Sequence, residues 1–461
     1  VNIETSGYVL AGLETFGPLV NKFFSSTEFK NQFTREDLSD FFSKTCNKFL
    51  HSFGASFKGR KKYDKYIEKE ANLLKSCRET GLFDKSEFIC DSGGFQISVG
   101  LLNDDEGKIL HKLYHEFLEQ HVDLYDKAFL LDLVPGPNCQ MFESFDDVYN
   151  YNMKSYLKAQ SLPEKVRDKL IYIHHFRTPK LWDIFTNILD QDGMFESFKH
   201  YATGGIVANM ASDVSIPCII YILPLIPLLK RTIKFNRKVL DFHILGGASF
   251  RDVFFYEVFR IHIMKKFGIQ LNITFDSSSI FKGLLMGRYI HVCRNDGSIH
   301  RLDLRSNALD LKCQSTDQKS IDIYHNCMNQ MSEDTNLTKM LQNDIYNQKT
   351  NSFHEEVNIY LMLFVLYTYS KAQTIFKELA QKLYLSYETE DVENFNKDVS
   401  LITKNINSGK ITKKQISKSN SLWKSLDTLT SLDEDYCKFL VKKYLSKDEF
   451  VHLLNDKCMN A

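Results

Sequence analysis

Hydrophobic and polar positions alternate along much of the chain in a recurring unit. A short apolar run ends in a polar or glycine-rich turn, and a longer stretch with helical spacing follows. Between about residues 86 and 290 the short runs are Phe88–Cys90, Ala128–Leu133, Ile171–His174, Tyr201–Val207, Val239–Leu245 and Leu271–Phe275. The intervening stretch KILHKLYHEFLEQHVDLYDK sets Ile109, Leu113, Phe117 and Leu124 on one stripe, and SFRDVFFYEVFRIHIMKKFG has similar helical periodicity. Continuous apolar strands alternating with helices predict a parallel sheet covered by helices, since such strands are buried on both faces. Six strand–helix units are visible and two more have room in residues 1–85. The expected fold class is therefore α/β, a (β/α)8 barrel of TIM type, with an open doubly wound sheet as the alternative.

Beyond this region the pattern changes. In YIHVCRNDGSIHRLD (289–303) two short runs flank RNDGS, a hairpin signal. From about residue 330 the spacing is helical, as in HEEVNIYLMLFVLYTYSKAQTIFKELAQKLYL, until a polar stretch near 404–421, after which a last helical pair follows. A chain of 461 residues exceeds the roughly 250–300 that one hydrophobic core supports. The expected division is a barrel with insertions over 1–330 and a helical C-terminal region over 331–461.

Composition narrows the class only a little. Hydrophobic content of 43% and charged content of 25% fit an ordinary soluble globular protein. Lys+Arg and Asp+Glu both total 58, so a nucleic-acid partner has to be sought in local clusters. Ten cysteines without paired spacing point to reduced thiols and a cytoplasmic setting. The first residues hold no basic segment followed by an apolar core, so no signal peptide is expected. IPCIIYILPLIPLLK (216–230) contains three prolines and falls short of the about 20 residues of a membrane span, so it reads as buried core.

Candidate chemistry collects at strand ends, where the catalytic groups of such barrels sit. The predicted strands finish at Asp91, Asp132, His174/His175, Gly204–Gly205, Gly246–Gly247 and Asp276. Any one of these suits a turn or a helix cap; in succession, they converge on one face. Gly93–Gly94 can expose bare backbone to a flat ligand, and Gly204–Gly205 repeats the device. With an acceptor such as Asp132 this suits a planar heterocycle bearing N–H donors, such as guanine. Phe95 reads as core.

Four motifs extend this picture. DSGGFQ resembles the signature of the queuine/archaeosine tRNA-guanine transglycosylase superfamily, a (β/α)8 barrel family that exchanges guanine for a 7-deazaguanine base. YATGGIVA resembles its base-binding strand, FHILGGAS its later glycine-rich strand, and ITFDSSS lies where that family carries its nucleophilic aspartate. The motifs follow the family's order over roughly residues 85–290. The resemblance implies that Asp276 attacks C1′ of the target nucleotide and displaces guanine through a covalent ester. It implies that Asp91 handles protons as general acid and base. Asp132 would accept from the base's N1–H and 2-amino group, with Ser92, Gly93, Gly94, His174, Gly204, Gly205 and Ile206 completing the base site. Where the family has Gln-Gly after the strand matching YIHHF, this chain has His174–His175.

Further departures bear on the substrate. The chain reads FDSSSIFKGLLMGRYI where the tRNA enzymes carry a Pro-Thr-Arg type segment. The family's Cys-x-Cys-x-x-Cys…His zinc site is replaced by Cys313, His325, Cys327 and His354 as candidate ligands of a structural zinc. HEEVNIY resembles the helix carrying the family's zinc histidine. These departures match better the branch that acts on DNA, in phages and bacterial modification clusters, inserting bases such as preQ0. The expected partners are therefore DNA and a free 7-deazaguanine base in a bacterial or phage-infected cytoplasm, with accessory DNA-modification proteins; tRNA is the alternative polymer. A non-catalytic nucleic-acid-binding subunit is the reading from a different class. No organic cofactor is expected. Lys58, Arg60, Lys61 and Lys62, and a second run including Lys410, Lys413 and Lys414, are candidate backbone clamps; a solvated face is the simpler account of such runs.

Overall fold

The computed structural model describes residues 7–25, 34–57, 63, 65–98, 101–133, 142, 144–191, 193–204, 219–247, 250–277, 289–293, 299–303 and 430–445, with scattered positions between 363 and 381. Eight parallel strands close into a barrel, β1-β2-β3-β4-β5-β6-β7-β8, with β1 pairing to β8. They are β1 Gly7–Ala11, β2 Lys48–Ser52, β3 Glu87–Asp91, β4 Lys127–Phe129, β5 Leu170–His175, β6 His200–Gly204, β7 Val239–Ile244 and β8 Gln270–Ser277. The (β/α)8 expectation holds and the open sheet is excluded. The two strands sought in residues 1–85 are β1 and β2. A separate antiparallel pair, β9 Tyr289–Cys293 with β10 Ile299–Asp303, forms the expected hairpin. β4 ends earlier than its apolar run does.

Strand alternation divides the core in two. Val9, Ala11, Leu50, Ile89, Phe129, Ile171, Ile173 and Ala202 fill the barrel interior. The intervening residues, such as Phe49, Phe88, Tyr172, Phe242 and Phe275, join the larger cluster between the strands and the helices. Each strand therefore buries both faces, which is why the runs are apolar throughout. The run at 216–230 forms helices Ile219–Ile222 and Leu225–Lys234, with Pro224 between them and Leu225, Ile226, Leu228 and Leu229 fully buried. Helix starts are fixed locally: Thr34 with Asp37, Asn103 with Glu106 and Ser144 with Asp147 form reciprocal capping boxes.

The described C-terminal residues lie against the barrel. The helix Glu434–Leu445 buries Cys437 and Val441. Lys438 pairs with Asp183 at 2.6 Å and Glu434 with Lys230 at 3.3 Å. The Tyr369 ring meets Tyr8 of β1 edge-on at 4.8 Å. Among the described residues no helix is long and apolar enough to cross a membrane.

Two loops at the C-terminal ends of β2 and β3 touch backbone to backbone. A Cβ on Gly54 would lie 2.7 Å from Cα of Gly93, and one on Gly93, at φ +86°, would lie 2.6 Å from Cα of Gly54. Gly54→Ala is expected to lower stability by about 1–3 kcal/mol, since neither backbone can yield without moving its strand end. Gly7→Ala, whose added methyl meets, among the described residues, only Thr274 Cγ2 at 3.9 Å, serves as the tolerated control. Urea denaturation of both variants checks this, and equal midpoints would refute the contact.

Candidate active site

Asp91 is the last residue of β3. It shares the inward phase of Ile89, so its carboxylate enters the C-terminal mouth while Cys90 turns outward. Ser52 is its register partner on β2, and the Ser52 hydroxyl donates to Asp91 Oδ2 at 2.9 Å. The Ser52 N–H in turn donates to Glu14 Oε2 at 3.2 Å, fixing this corner to the helix Leu13–Ser25. Burial pushes the Asp91 carboxyl up to about 6. The Ser52 and Gly93 hydrogen bonds pull against that rise, and the negative charges of Asp276 and Glu14 add to it. Asp91 thus titrates near neutrality, where it can give and take a proton.

Asp276 comes from the far side of the closure. β8 alternates Leu271, Ile273 and Phe275 outward with Asn272, Thr274 and Asp276 inward. Oδ1 of Asp276 accepts the Gly246 N–H at 2.9 Å and lies 3.2 Å from Nε2 of His243. Nδ1 of the same imidazole is 2.9 Å from the Thr274 hydroxyl. The two carboxylates named from sequence therefore share one mouth, close enough for the charge of one to move the other.

Asp132 stands at the same end, buried and bonded through Oδ2 to Nε2 of His175. The segment after β4 is held by the helix Phe145–Gln160. Asn152 brackets Leu133, accepting its N–H at 2.9 Å and donating to its carbonyl at 2.8 Å, while the Ser155 hydroxyl donates to the Leu131 carbonyl. His175 follows Ile171 and Ile173 in the inward phase.

The expectation for His174 is corrected. It belongs to the outward phase of Leu170 and Tyr172, and its ring packs 5.4 Å from Trp182, with Nε2 3.1 Å from the Thr186 hydroxyl. Burial among these groups drives its pKa well below the usual histidine range. A one-residue step along a strand reverses the face, so the inward-facing histidine of the pair is His175.

The glycines also change meaning. Gly93 meets Gly54, and a Cβ on Gly94 would sit 2.9 Å from the Asp132 carbonyl oxygen. Both are buried, and their smallness serves close packing of the protein's own backbone rather than an open platform. Ser92 is buried too, its hydroxyl accepting the Gly94 N–H at 3.2 Å. Gly204 leaves room beside His175, whose Cε1 an added Cβ would approach to 3.0 Å.

Gly205 and Ile206 lie outside the described residues. So do Lys58, Arg60, Lys61, Lys62, Lys410, Lys413 and Lys414, and the candidate zinc ligands Cys313, His325, Cys327 and His354. Among the described residues no group of three or more His, Cys, Asp or Glu side chains is arranged to hold a metal ion. Sequence reasoning missed Ser52, Glu14 and His243. The signal for His243 was a polar residue at the inward phase of an apolar strand, Asp241 and Leu245 being its companions on that face.

A cavity of about 600 Å³ lies at the opposite, N-terminal mouth. There Glu87 pairs with Lys127 at 3.1 Å and Lys48 at 3.3 Å, and Asp241 with His200 at 2.8 Å. Charge pairing at that end of a barrel serves stability, while chemistry gathers at the C-terminal mouth. The carboxylates, not the cavity, locate the candidate site. No protein-family model matches this chain, and no curated protein matches it.

The raised Asp91 pKa links stability to pH. The unfolded carboxyl titrates near 3.9, so protonation favours the folded state. That contribution is complete below about pH 4 and is lost as pH rises through about 6. Asp91→Asn removes the cost of ionising in place. We expect the variant to gain about 1–2 kcal/mol over the parent at pH 8 and nearly nothing at pH 4. Denaturation at the two pH values measures this; a gain that is larger at pH 4 would contradict the assignment.

Proposed function

We propose that the chain is a DNA-guanine transglycosylase, exchanging guanine in DNA for a free 7-deazaguanine base such as preQ0. The observation that carries this reading is the pair of carboxylates at one barrel mouth, one of them tuned to about 6 by burial and by the other's charge. Two carboxylates in unlike environments suit two displacements at one sugar carbon.

In the first step a carboxylate oxygen of Asp276 bonds to C1′ as the C1′–N9 bond breaks. The electron pair leaves on the purine, which takes the proton of Asp91 and departs as neutral guanine. In the second step the ionised Asp91 removes the N9 proton of the incoming 7-deazaguanine. Its N9 then bonds to C1′, and the ester electrons return to Asp276. Protons and charge balance over the cycle, with no hydrolysis and no nucleotide cofactor. Two inversions retain the sugar configuration. Asp132, buried and oriented by His175, would accept from the base's N1–H and 2-amino group. The target nucleotide has to leave the stack for C1′ to be reached, a cost of a few kcal/mol.

DNA is favoured over tRNA by FDSSS and by the lack of the Pro-Thr-Arg type segment. The test is exchange by the purified full chain on DNA and on tRNA, each with preQ0, read by mass spectrometry of the digested nucleosides. We expect modified deoxynucleoside from DNA, and a loss on the order of 10⁴-fold with Asp276→Asn. Exchange on tRNA alone would move the reading to the tRNA enzymes, and exchange on neither polymer would overturn it.

A further inference from the structure

We propose that His243 and the Gly246 N–H hold Oδ1 of Asp276 and leave Oδ2 as the attacking oxygen. The Thr274 hydroxyl meets the other ring nitrogen and holds the imidazole in this orientation. The proposal rests on the transglycosylase reading and adds a positioning residue and the identity of the nucleophilic atom.

An ionised carboxylate only accepts hydrogen bonds, so the ring nitrogen facing it carries a hydrogen. Nε2 lies 3.2 Å from Oδ1, and the ring's other nitrogen, Nδ1, is 2.9 Å from the Thr274 hydroxyl, which can meet it as donor or acceptor. His243 and Thr274 are register partners on β7 and β8, so the pairing is built into the sheet. The imidazole is 3% exposed and lies against the Phe129 ring at 5.0 Å, which prevents it from swinging away. Gly246 adopts φ +82°, a backbone conformation costly for other residues, and its N–H reaches Oδ1 at 2.9 Å. Two donors therefore converge on Oδ1. Among the described residues none donates to Oδ2.

This asymmetry acts differently on the two steps. When Oδ2 bonds to C1′, Oδ1 becomes the carbonyl oxygen of the ester and sheds charge. When the ester breaks, charge returns to Oδ1, where two fixed N–H groups meet it, as in an oxyanion hole. Donors of this kind favour release of the carboxylate more than its attack. Loss of the imidazole should slow breakdown of the glycosyl ester more than its formation, so that the adduct accumulates. A merely structural role would slow both alike.

The test has two arms on the full chain. Nitrogen NMR of histidine-labelled protein, with the His243 signal assigned by its loss in His243→Phe, should show the Nε2–H tautomer. The Nδ1–H tautomer would overturn the geometry, and this arm needs no turnover. Rapid-quench kinetics on DNA with preQ0 should show ester breakdown slowed by about 10–100-fold in His243→Phe, with formation changed less. His243→Gln, which restores an N–H donor, should recover part of the loss, and Thr274→Val should show the same bias more weakly. Unchanged partitioning between the steps in all three variants would overturn the positioning role. Exchange absent from the parent protein, with the tautomer as expected, would instead reject the transglycosylase reading and leave the held oxygen standing.

Discussion

Closure of β1 onto β8 is the constraint on which the site depends. Asp276 stands at the C-terminal end of the last strand of the barrel, one residue before its close, and Asp91 ends the third. In an open sheet with strands about 4.8 Å apart, five spacings would separate them by about 24 Å. Pairing of Val9 with Asp276 and of Gly7 with Thr274 bends the sheet into a ring, and the shorter path between them then crosses only β1 and β2. The interior of an eight-strand barrel is just wide enough for side chains to fill. Two inward carboxylates at its rim therefore face one small space.

Within that space the protein makes two like groups unlike. Asp91 sits among buried neighbours with one hydroxyl donor and the like charge of Asp276 nearby, and its proton affinity rises. Asp276 receives a backbone N–H and lies beside an imidazole. The supports come from separate layers. Ser52 and His243 stand on the strands next to those of the carboxylates they touch, whereas Glu14, Asn152 and Ser155 come from the helices around the sheet. Gly54, Gly93 and Gly94 let the loops of β2 and β3 and the segment after β4 approach backbone to backbone.

The order of strands was legible because each buries two faces, and a short apolar run between turns has few other uses. The ends of the strands were less so. The run at 128–133 stays apolar beyond β4: the Leu130 N–H still donates to the Ile171 carbonyl of β5, and Leu130, Leu131 and Leu133 belong to the larger core cluster. Asp91, Asp132 and Asp276 stood out as lone acids closing apolar runs. His174 and His175 could not be separated so simply, because both positions of a fully buried strand are apolar and the usual alternation of hydrophobic with polar residues, which marks the faces, is absent.

By itself the sequence determined the secondary elements, their parallel arrangement and the acids at the strand ends, since these follow from local periodicity and from burial along one segment. Tertiary structure alone decided which residues meet. Ser52 with Asp91, His175 with Asp132 and His243 with Asp276 are pairings between neighbouring strands or the segments that follow them, separated by about thirty to forty residues of chain. Their distances depend on register and ring closure, which no single segment encodes. The raised Asp91 pKa has the same origin, because burial and a neighbour's charge are properties of the folded mouth rather than of the residues taken one by one.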